Sequence, residues 1–133
     1  MHGVYLALSV CALVYFGAHS CAHAQVSDRE AARINRQVNH EFSHGAPTTR
    51  GDDGVWDCED YANEKRARLL AAGVPGTAMK VWSVTTRWGE RHAVLELRQP
   101  GGSVVLDNLD PWPIPMAEAR KRYSDWHWHL APW

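Results

Sequence analysis

The sequence predicts an α+β domain in which a helix packs on a small antiparallel sheet. Residues 57–72 contain no proline or glycine and are rich in strong helix formers, and the run stops at Gly73, which predicts a helix. Residues 78–109 hold runs of β-branched and aromatic residues separated by turn signals, which predict antiparallel strands. At 133 residues and without an internal repeat, the chain allows one domain.

The predicted helix has a marked beginning and a marked end. Asp57 is the expected N-cap, and Asp60 can return a hydrogen bond to the cap backbone as in a capping box. Gly73 supplies the left-handed residue that ends the helix. Cys58 falls in the first turn, where unpaired N–H groups and the helix dipole favour a thiolate, while the neighbouring carboxylates oppose it. To act as a nucleophile, Cys58 therefore needs a histidine partner.

An amphipathic helix is expected before the cysteine helix, over residues 25–42. Its apolar residues recur at helical spacing: Ile34, Val38 and Phe42. The stripe that they form would pack on the cysteine helix. Residues 43–55 lack periodicity and predict a surface loop. Asp52 and Asp53 lie in this loop, where two adjacent acids are more often solvated than bound to a metal.

Strands are predicted over residues 78–86, 91–98 and 103–109. We expect the second turn to pair Gln99 with Gly102. Val94 then faces Asp107, and His92 becomes a diagonal neighbour of Asp107 on the same face of the sheet. Such neighbours lie about 7–8 Å apart at the backbone, within reach of each other's side chains. Provided that the turn has this length, the spacing places a carboxylate where it can orient an imidazole.

The C-terminal quarter is predicted to cover the sheet. Residues 110–115 carry too many prolines for a helix or a central strand and predict an extended cover segment. Residues 116–123 predict one or two helical turns, and residues 124–133 alternate like an edge strand. His127 and His129 fall on one side of that alternation. We expect them to face solvent rather than to bind zinc, because no further ligand cluster accompanies them.

The first 24 residues contain no Lys, Arg, Asp or Glu and end in the sequence A-H-A. This pattern predicts a signal peptide over residues 1–24, a domain over residues 25–133, and a periplasmic or secreted location. An uncleaved anchor is the alternative, but the apolar run is shorter than the roughly 18 residues that a span needs, so we expect no stable membrane insertion after cleavage. Cleavage would leave Cys58 as the only thiol, which favours its use as a nucleophile over an inert buried role.

The charge balance excludes one class of partner. The 14 basic and 15 acidic residues nearly cancel, so nothing predicts a nucleic-acid partner. The oligomeric state stays open.

Three stretches of the sequence resemble the bacterial transglutaminase-like cysteine peptidases, a papain-like group within the transglutaminase superfold. They are D-C-E-D-Y-A with E-K-R-A-R-L-L-A-A-G-V-P in residues 57–75, R-H-A-V-L in residues 91–95 and V-V-L-D-N-L in residues 104–109. The resemblance implies a papain-like core with the catalytic cysteine at a helix N-terminus. It makes Cys58 the nucleophile, His92 the general base and acid, and Asp107 the residue that orients the imidazole.

The best-known members of this family are periplasmic, calcium-dependent proteases that cleave surface adhesins. The resemblance implies calcium ligands at Asp57 and Glu59, the acids beside the cysteine. We nevertheless expect these two residues to cap the helix and to bind calcium weakly or not at all, because two carboxylates supply too few of the six to eight oxygens that calcium takes. The chain also carries Trp56 where the family usually has glycine, which could crowd the cleft.

The sequence therefore predicts an exported cysteine peptidase that hydrolyses peptide bonds through a thioester, with Cys58, His92 and Asp107 as its triad and no required cofactor. Two alternatives stay open. One is a protein-binding module that has lost catalysis but kept the peptidase fold. The other is an amide-transferring enzyme of the transglutaminase type, since the sequence does not decide which acceptor attacks the thioester.

Overall fold

The computed structural model of the protein describes residues 25–44 and 55–128. The elements before the main sheet are helix α1 (Asp28–Glu41), strands β1 (Ser43–His44) and β2 (Val55–Trp56), helix α2 (Cys58–Ala71) and a short 3₁₀ turn (Gly76–Ala78). They are followed by strands β3 (Met79–Thr85), β4 (Arg91–Leu97), β5 (Val104–Leu106) and β6 (Ile114–Pro115), helix α3 (Met116–Arg122) and strand β7 (Ser124–Trp128).

The main sheet has five strands in the order β6-β5-β4-β3-β7. Every neighbouring pair in it is antiparallel. β1 and β2 form a separate parallel pair of two residues each. All of these residues except Trp56 lie in the stretch that the sequence predicts as a loop. The predicted α+β class, with a helix on an antiparallel sheet, is confirmed.

The pairing of β4 with β5 has the predicted register. Leu95 pairs with Leu106 and Leu97 with Val104, as expected if Gln99 pairs with Gly102. The turn closes with a 3.0 Å hydrogen bond from the N–H of Gly102 to the carbonyl of Gln99.

β5 ends at Leu106, earlier than predicted, because the next residue turns the chain. The Asp107 side chain accepts a 2.9 Å hydrogen bond from the N–H of Leu109. This local hydrogen bond takes the place of the backbone hydrogen bonds to neighbouring strands that a longer β5 would have made.

α1 packs on α2, as its apolar spacing predicts. Ser27 caps α1 by accepting a hydrogen bond from the N–H of Glu30. The stripe residues Ile34 and Val38 are buried and contact the core that α2 shares with the sheet.

Two apolar cores lie against the strands. The larger joins α1 and α2 to the sheet and includes Leu69, Leu95 and Leu106. The smaller contains Val94, together with Ala119 of α3. Helices thus contribute to both cores, which accounts for the near-complete burial of β4.

The covering segments agree with the prediction in part. Ile114 and Pro115 form the outer strand β6, which the sequence did not predict, and proline is tolerated there because one side of an edge strand makes no ladder bonds. β7 is the opposite edge, as predicted.

Some of the predicted features lie outside the described residues: the signal peptide over residues 1–24, Asp52, Asp53 and His129. Within residues 25–44 and 55–128, no helix has the length and apolar character needed to cross a membrane.

Candidate active site

A capping box fixes Cys58 at the first position of α2. Asp57 accepts hydrogen bonds from the N–H groups of Glu59 and Asp60, both at 3.0 Å. Asp60 accepts one in return from the N–H of Asp57, also at 3.0 Å. The predicted cap is therefore confirmed, and a cap of this kind contributes about 1 kcal/mol to helix stability. Its effect at the site is to hold the cysteine in a defined first turn.

The thiol of Cys58 reaches both solvent and a histidine. Cys58 is a free cysteine with intermediate exposure. Its interactions with His92 of β4 help to raise the pKa of the imidazole, so the two side chains are close neighbours. A nucleophilic thiol must be reached by the substrate and must lie beside a base. A fully buried thiol fails the first requirement, and a thiol without a histidine neighbour fails the second.

His92 and Asp107 form a buried pair. Nε2 of His92 lies 2.9 Å from Oδ1 of Asp107. Only 8% of His92 and 1% of Asp107 is exposed, so water screens this contact poorly. Because Nε2 is bound to the carboxylate, Nδ1 is the ring nitrogen left for the thiol of Cys58.

The surroundings of His92 favour its charged form. Burial by itself lowers the pKa of the imidazole. Hydrogen bonds and charge interactions with Asp107 and Cys58 outweigh burial and raise the pKa of His92 to about 9. At neutral pH the ring is therefore an imidazolium, the partner that a thiolate requires.

Asp107 has several donors besides His92. The N–H of Leu109 binds Oδ1, and the hydroxyl of Tyr123 donates to Oδ2. Burial raises the pKa of the Asp107 carboxyl, but the hydrogen bonds from His92, Tyr123 and Leu109 outweigh it and hold the pKa below its ordinary value. The carboxylate stays ionised and fixed in orientation.

Tyr123 is a site residue that the sequence analysis missed. It follows α3, and its ring lies 5.6 Å from the His92 ring, between centroids. Burial and the hydrogen bond to Asp107 both raise the pKa of its hydroxyl, so the group remains a donor. The signal in the sequence was a tyrosine at the end of a predicted short helix, but nothing local placed that helix against Asp107.

The turn after β5 is also anchored to α1. The side-chain amide of Asn39 donates to the backbone carbonyl of Asp107 at 2.9 Å and to that of Asp110 at 3.2 Å. Asn35, one helical turn earlier, donates to the same Asp110 carbonyl at 2.8 Å. α1 therefore fixes the backbone that carries the carboxylate.

Residues 9–125 match the family model of the bacterial transglutaminase-like cysteine proteinase BTLCP. The chain belongs to this family. The resemblance drawn from its motifs is thereby confirmed, and the chain is classed among the cysteine peptidases. No curated protein sequence matches it significantly.

Three solved structures of LapG from Legionella pneumophila are similar to this transglutaminase-like chain, each at 22% identity over 72% of it. The TM-scores are 0.61 for LapG, 0.61 for EGTA-treated LapG and 0.58 for calcium-bound LapG. The chain covers 61%, 59% and 61% of the respective LapG chains, or about three-fifths of their length. At this identity the likeness shows a shared fold.

Trp56, which departs from the usual glycine of the transglutaminase-like family, is a packing residue. Its ring stacks on Phe42, with centroids 3.5 Å apart and planes 8° from parallel. It also meets Tyr61 edge-on at 5.6 Å. The indole therefore joins the end of α1 to the start of α2, directly beside the cysteine.

The described residues fit a calcium ion poorly at the cysteine. Asp57 accepts both of its cap hydrogen bonds on Oδ1, so the cap itself does not occupy Oδ2. Among residues 25–44 and 55–128, no group of three or more His, Cys, Asp or Glu side chains could hold a metal ion. Asp57 and Glu59 alone supply too few oxygens for calcium.

Proposed function

We propose that this chain is a cysteine peptidase in which Cys58 attacks the carbonyl carbon of a peptide bond. The observation that carries the proposal is the arrangement of Cys58 beside His92, whose Nε2 lies 2.9 Å from Oδ1 of Asp107. It joins a partly exposed thiol to a buried carboxylate through an imidazole, the arrangement that activates a nucleophile.

The reaction follows from this geometry. In the resting site the proton of the Cys58 thiol lies on His92, and Asp107 stabilises the resulting imidazolium beside the thiolate. The thiolate attacks the carbonyl carbon, and the backbone N–H of Cys58 at the helix N-terminus is the donor that we assign to the oxyanion. His92 then protonates the departing amine as the C–N bond breaks, which leaves a thioester. Water, deprotonated by His92, attacks the thioester and releases the acid and the thiol.

We assign a protein or peptide substrate and a periplasmic or secreted location. The predicted signal peptide supports the location, and membership in a peptidase family supports the substrate class. A surface adhesin is the substrate that the family resemblance favours. Hydrolysis is preferred over amide transfer because the chain belongs to a family of proteinases, which pass the acyl group to water.

The test is the pH dependence of alkylation of Cys58 by iodoacetamide. An activated thiol reaches half of its maximal rate below about pH 7, whereas an ordinary cysteine does so near pH 8.5. His92→Ala should move the midpoint toward the ordinary value, and Cys58→Ala should abolish labelling. A wild-type midpoint near 8.5 would favour the protein-binding module that lacks catalysis.

A further inference from the structure

Strand β7 leaves one edge of the main sheet open. It is the last strand in the order β6-β5-β4-β3-β7, and among the residues that the structure describes no strand pairs with its outer edge. Ser124 at the start of β7 pairs with Thr85, which pairs in turn with Arg91, the residue before His92. β7 therefore begins at the end of the sheet that carries His92. An open edge offers its backbone N–H and C=O groups to an added strand.

A series of aromatic rings joins His92 to this edge. The Tyr123 ring lies 5.6 Å from that of His92, between centroids. Trp126 lies 6.3 Å from Tyr123 and 5.7 Å from Trp82. Trp128 pairs with Trp82 across the strands, so the two side chains share one face of the sheet. Trp128 is 50% exposed, so the aromatic surface reaches solvent at β7 and packing alone does not account for it.

Cations surround β7 on both faces of the sheet. Nζ of Lys80 lies 4.9 Å from the Trp128 ring centroid, and Cζ of Arg120 lies 4.4 Å from that of Trp126. Arg91 is exposed on the opposite face, where it lines an open cavity of about 470 Å³ that β7 also borders. In the described part of the chain, none of these three cations forms an ion pair with a carboxylate.

The acidic groups nearest to this edge do not cancel its positive charge. Glu96 lies directly opposite Lys80 across the strands, but its carboxylate accepts a 2.7 Å hydrogen bond from an indole N–H. Asp125 is the carboxylate of β7 itself. These two acids face three cations, since Arg91 and Arg120 accompany Lys80. The edge therefore favours an anionic partner.

We propose that β7 docks an extended acidic segment of the substrate protein, which adds to the sheet as a sixth strand. The inference rests on the proposed function. The backbone of the segment pairs with β7, and its acidic side chains meet Lys80 and Arg120 on one face and Arg91 on the other, because successive side chains of a strand point to opposite faces.

The position of this added strand defines what the substrate must carry. Neighbouring strands lie about 4.8 Å apart, so the docked segment lies about 14 Å from β4, the strand that bears His92. An extended chain covers roughly 3.5 Å per residue, so the acidic segment is on the order of four residues or more from the cleaved bond. β7 is thus a docking site outside the catalytic cleft.

The test measures peptide binding to the Cys58→Ala protein, which cannot cleave what it binds. The probe is a fluorescein-labelled peptide of alternating Glu and Val, about ten residues long, so that it can span β7. Fluorescence anisotropy gives the Kd. Replacing each Glu by Gln removes the charge, and N-methylation of every residue keeps the charge but removes the N–H groups that a strand needs. We expect each change to weaken binding about tenfold or more.

Variants of the edge locate the binding. Trp128→Ala and Lys80→Met should each raise the Kd about threefold to tenfold. If Trp128→Ala does not fold, Lys80→Met removes the charge and keeps the ring. Trp112→Ala and Arg36→Met are the matched controls, because Arg36 lies over the 59% exposed Trp112 ring, 4.5 Å from its centroid, next to the opposite edge strand β6. They should leave the Kd unchanged.

Three results would overturn the docking strand: no binding of the Glu peptide, equal binding of its N-methylated form, or an unchanged Kd in the folded edge variants. A dimer that Trp128→Ala dissociates in sedimentation would also overturn it, because the edge would then pair with a second copy. Failure of the proposed peptidase appears instead as a Cys58 alkylation midpoint near pH 8.5 in the wild type. Binding to Cys58→Ala does not depend on the thiol, so the two failures are distinguishable.

Discussion

Tyr123 donates a hydrogen bond to Oδ2 of Asp107, the carboxylate oxygen that His92 does not use. His92 and the N–H of Leu109 share the other oxygen. The carboxylate is therefore held from both sides, and its plane is fixed relative to the imidazole. Tyr123 thus belongs to the support of the proposed triad, although it does not contact the thiol in that scheme.

Tyr123→Phe should weaken the activity without unfolding the protein. Loss of the hydroxyl removes one donor to Asp107, so the pKa of the carboxyl should rise and the carboxylate should lose part of its fixed orientation toward the imidazole. We expect kcat/KM to fall about tenfold, equivalent to about 1.4 kcal/mol. Cleavage of a fluorogenic peptide pool and the alkylation profile of Cys58 measure the effect.

Tyr61→Phe is the matched control for this change. Its hydroxyl donates to the carbonyl of Phe42 at 2.8 Å, so the variant loses a hydrogen bond of the same type that does not involve Asp107. If both variants lose equal activity, the effect comes from general destabilisation and Tyr123 has no specific role.

His92 and Lys65 should give the stability opposite pH dependences between about pH 7 and 9. Folding raises the pKa of His92 from 6.5 to about 9, since its bonds to Asp107 and Cys58 outweigh burial. The stability from His92 is thus fully present below pH 6.5 and is lost as the pH rises through about 9. Burial lowers the pKa of Lys65 from 10.5 to about 7, so the cost of folding it is full below about pH 7 and is relieved at higher pH.

Because these two effects oppose each other, the melting temperature of the wild type should change little between pH 7 and 9. In Lys65→Met, it should fall steadily as the pH rises over this range. In His92→Gln, it should rise. Thermal unfolding at half-unit pH steps measures all three proteins, and a flat profile for Lys65→Met would contradict the linkage.

The local elements of the site could be predicted from the sequence. The cap at Asp57 follows from residue types three apart, and the nearness of His92 to Asp107 follows from the length of one turn. Both relations join residues that are close in sequence. The fixed residue periods of helices and strands then determine which of their side chains lie on the same face. The arrangement of these two residues therefore needed no tertiary information.

The remaining parts depend on how distant segments pack. Tyr123 reaches Asp107 only because α3 returns to the sheet after the proline-rich segment, and no periodicity encodes that path. Lys65 reads in the sequence as one charged residue of an ordinary helix surface. Lys65 is nevertheless buried, because α2 packs against α1 and the sheet. Even the end of β5 was set by a side-chain bond that spacing does not reveal.

Trp56→Gly should loosen the junction between α1 and α2 beside the cysteine. The variant loses the stack on Phe42 and the edge contact with Tyr61, which should destabilise the fold by about 2 kcal/mol. It should also increase the rate at which a bulky maleimide labels Cys58, relative to iodoacetamide. Trp88→Gly is the control, since that indole is 69% exposed in a turn. An unchanged ratio of the two rates would mean that Trp56 does not restrict the cleft.

The last prediction separates capping from calcium binding at Asp57. Asparagine and serine cap helices about as well as aspartate but lack the second anionic oxygen that calcium favours. If capping is the main role, Asp57→Asn should keep its stability and most of its activity, while Asp57→Ala should lose about 1 kcal/mol of stability. EGTA should then leave wild-type activity unchanged, and calorimetry should detect no tight calcium binding. Micromolar binding, together with loss of activity in both EGTA and Asp57→Asn, would show that the acids beside Cys58 serve a metal as well as the helix.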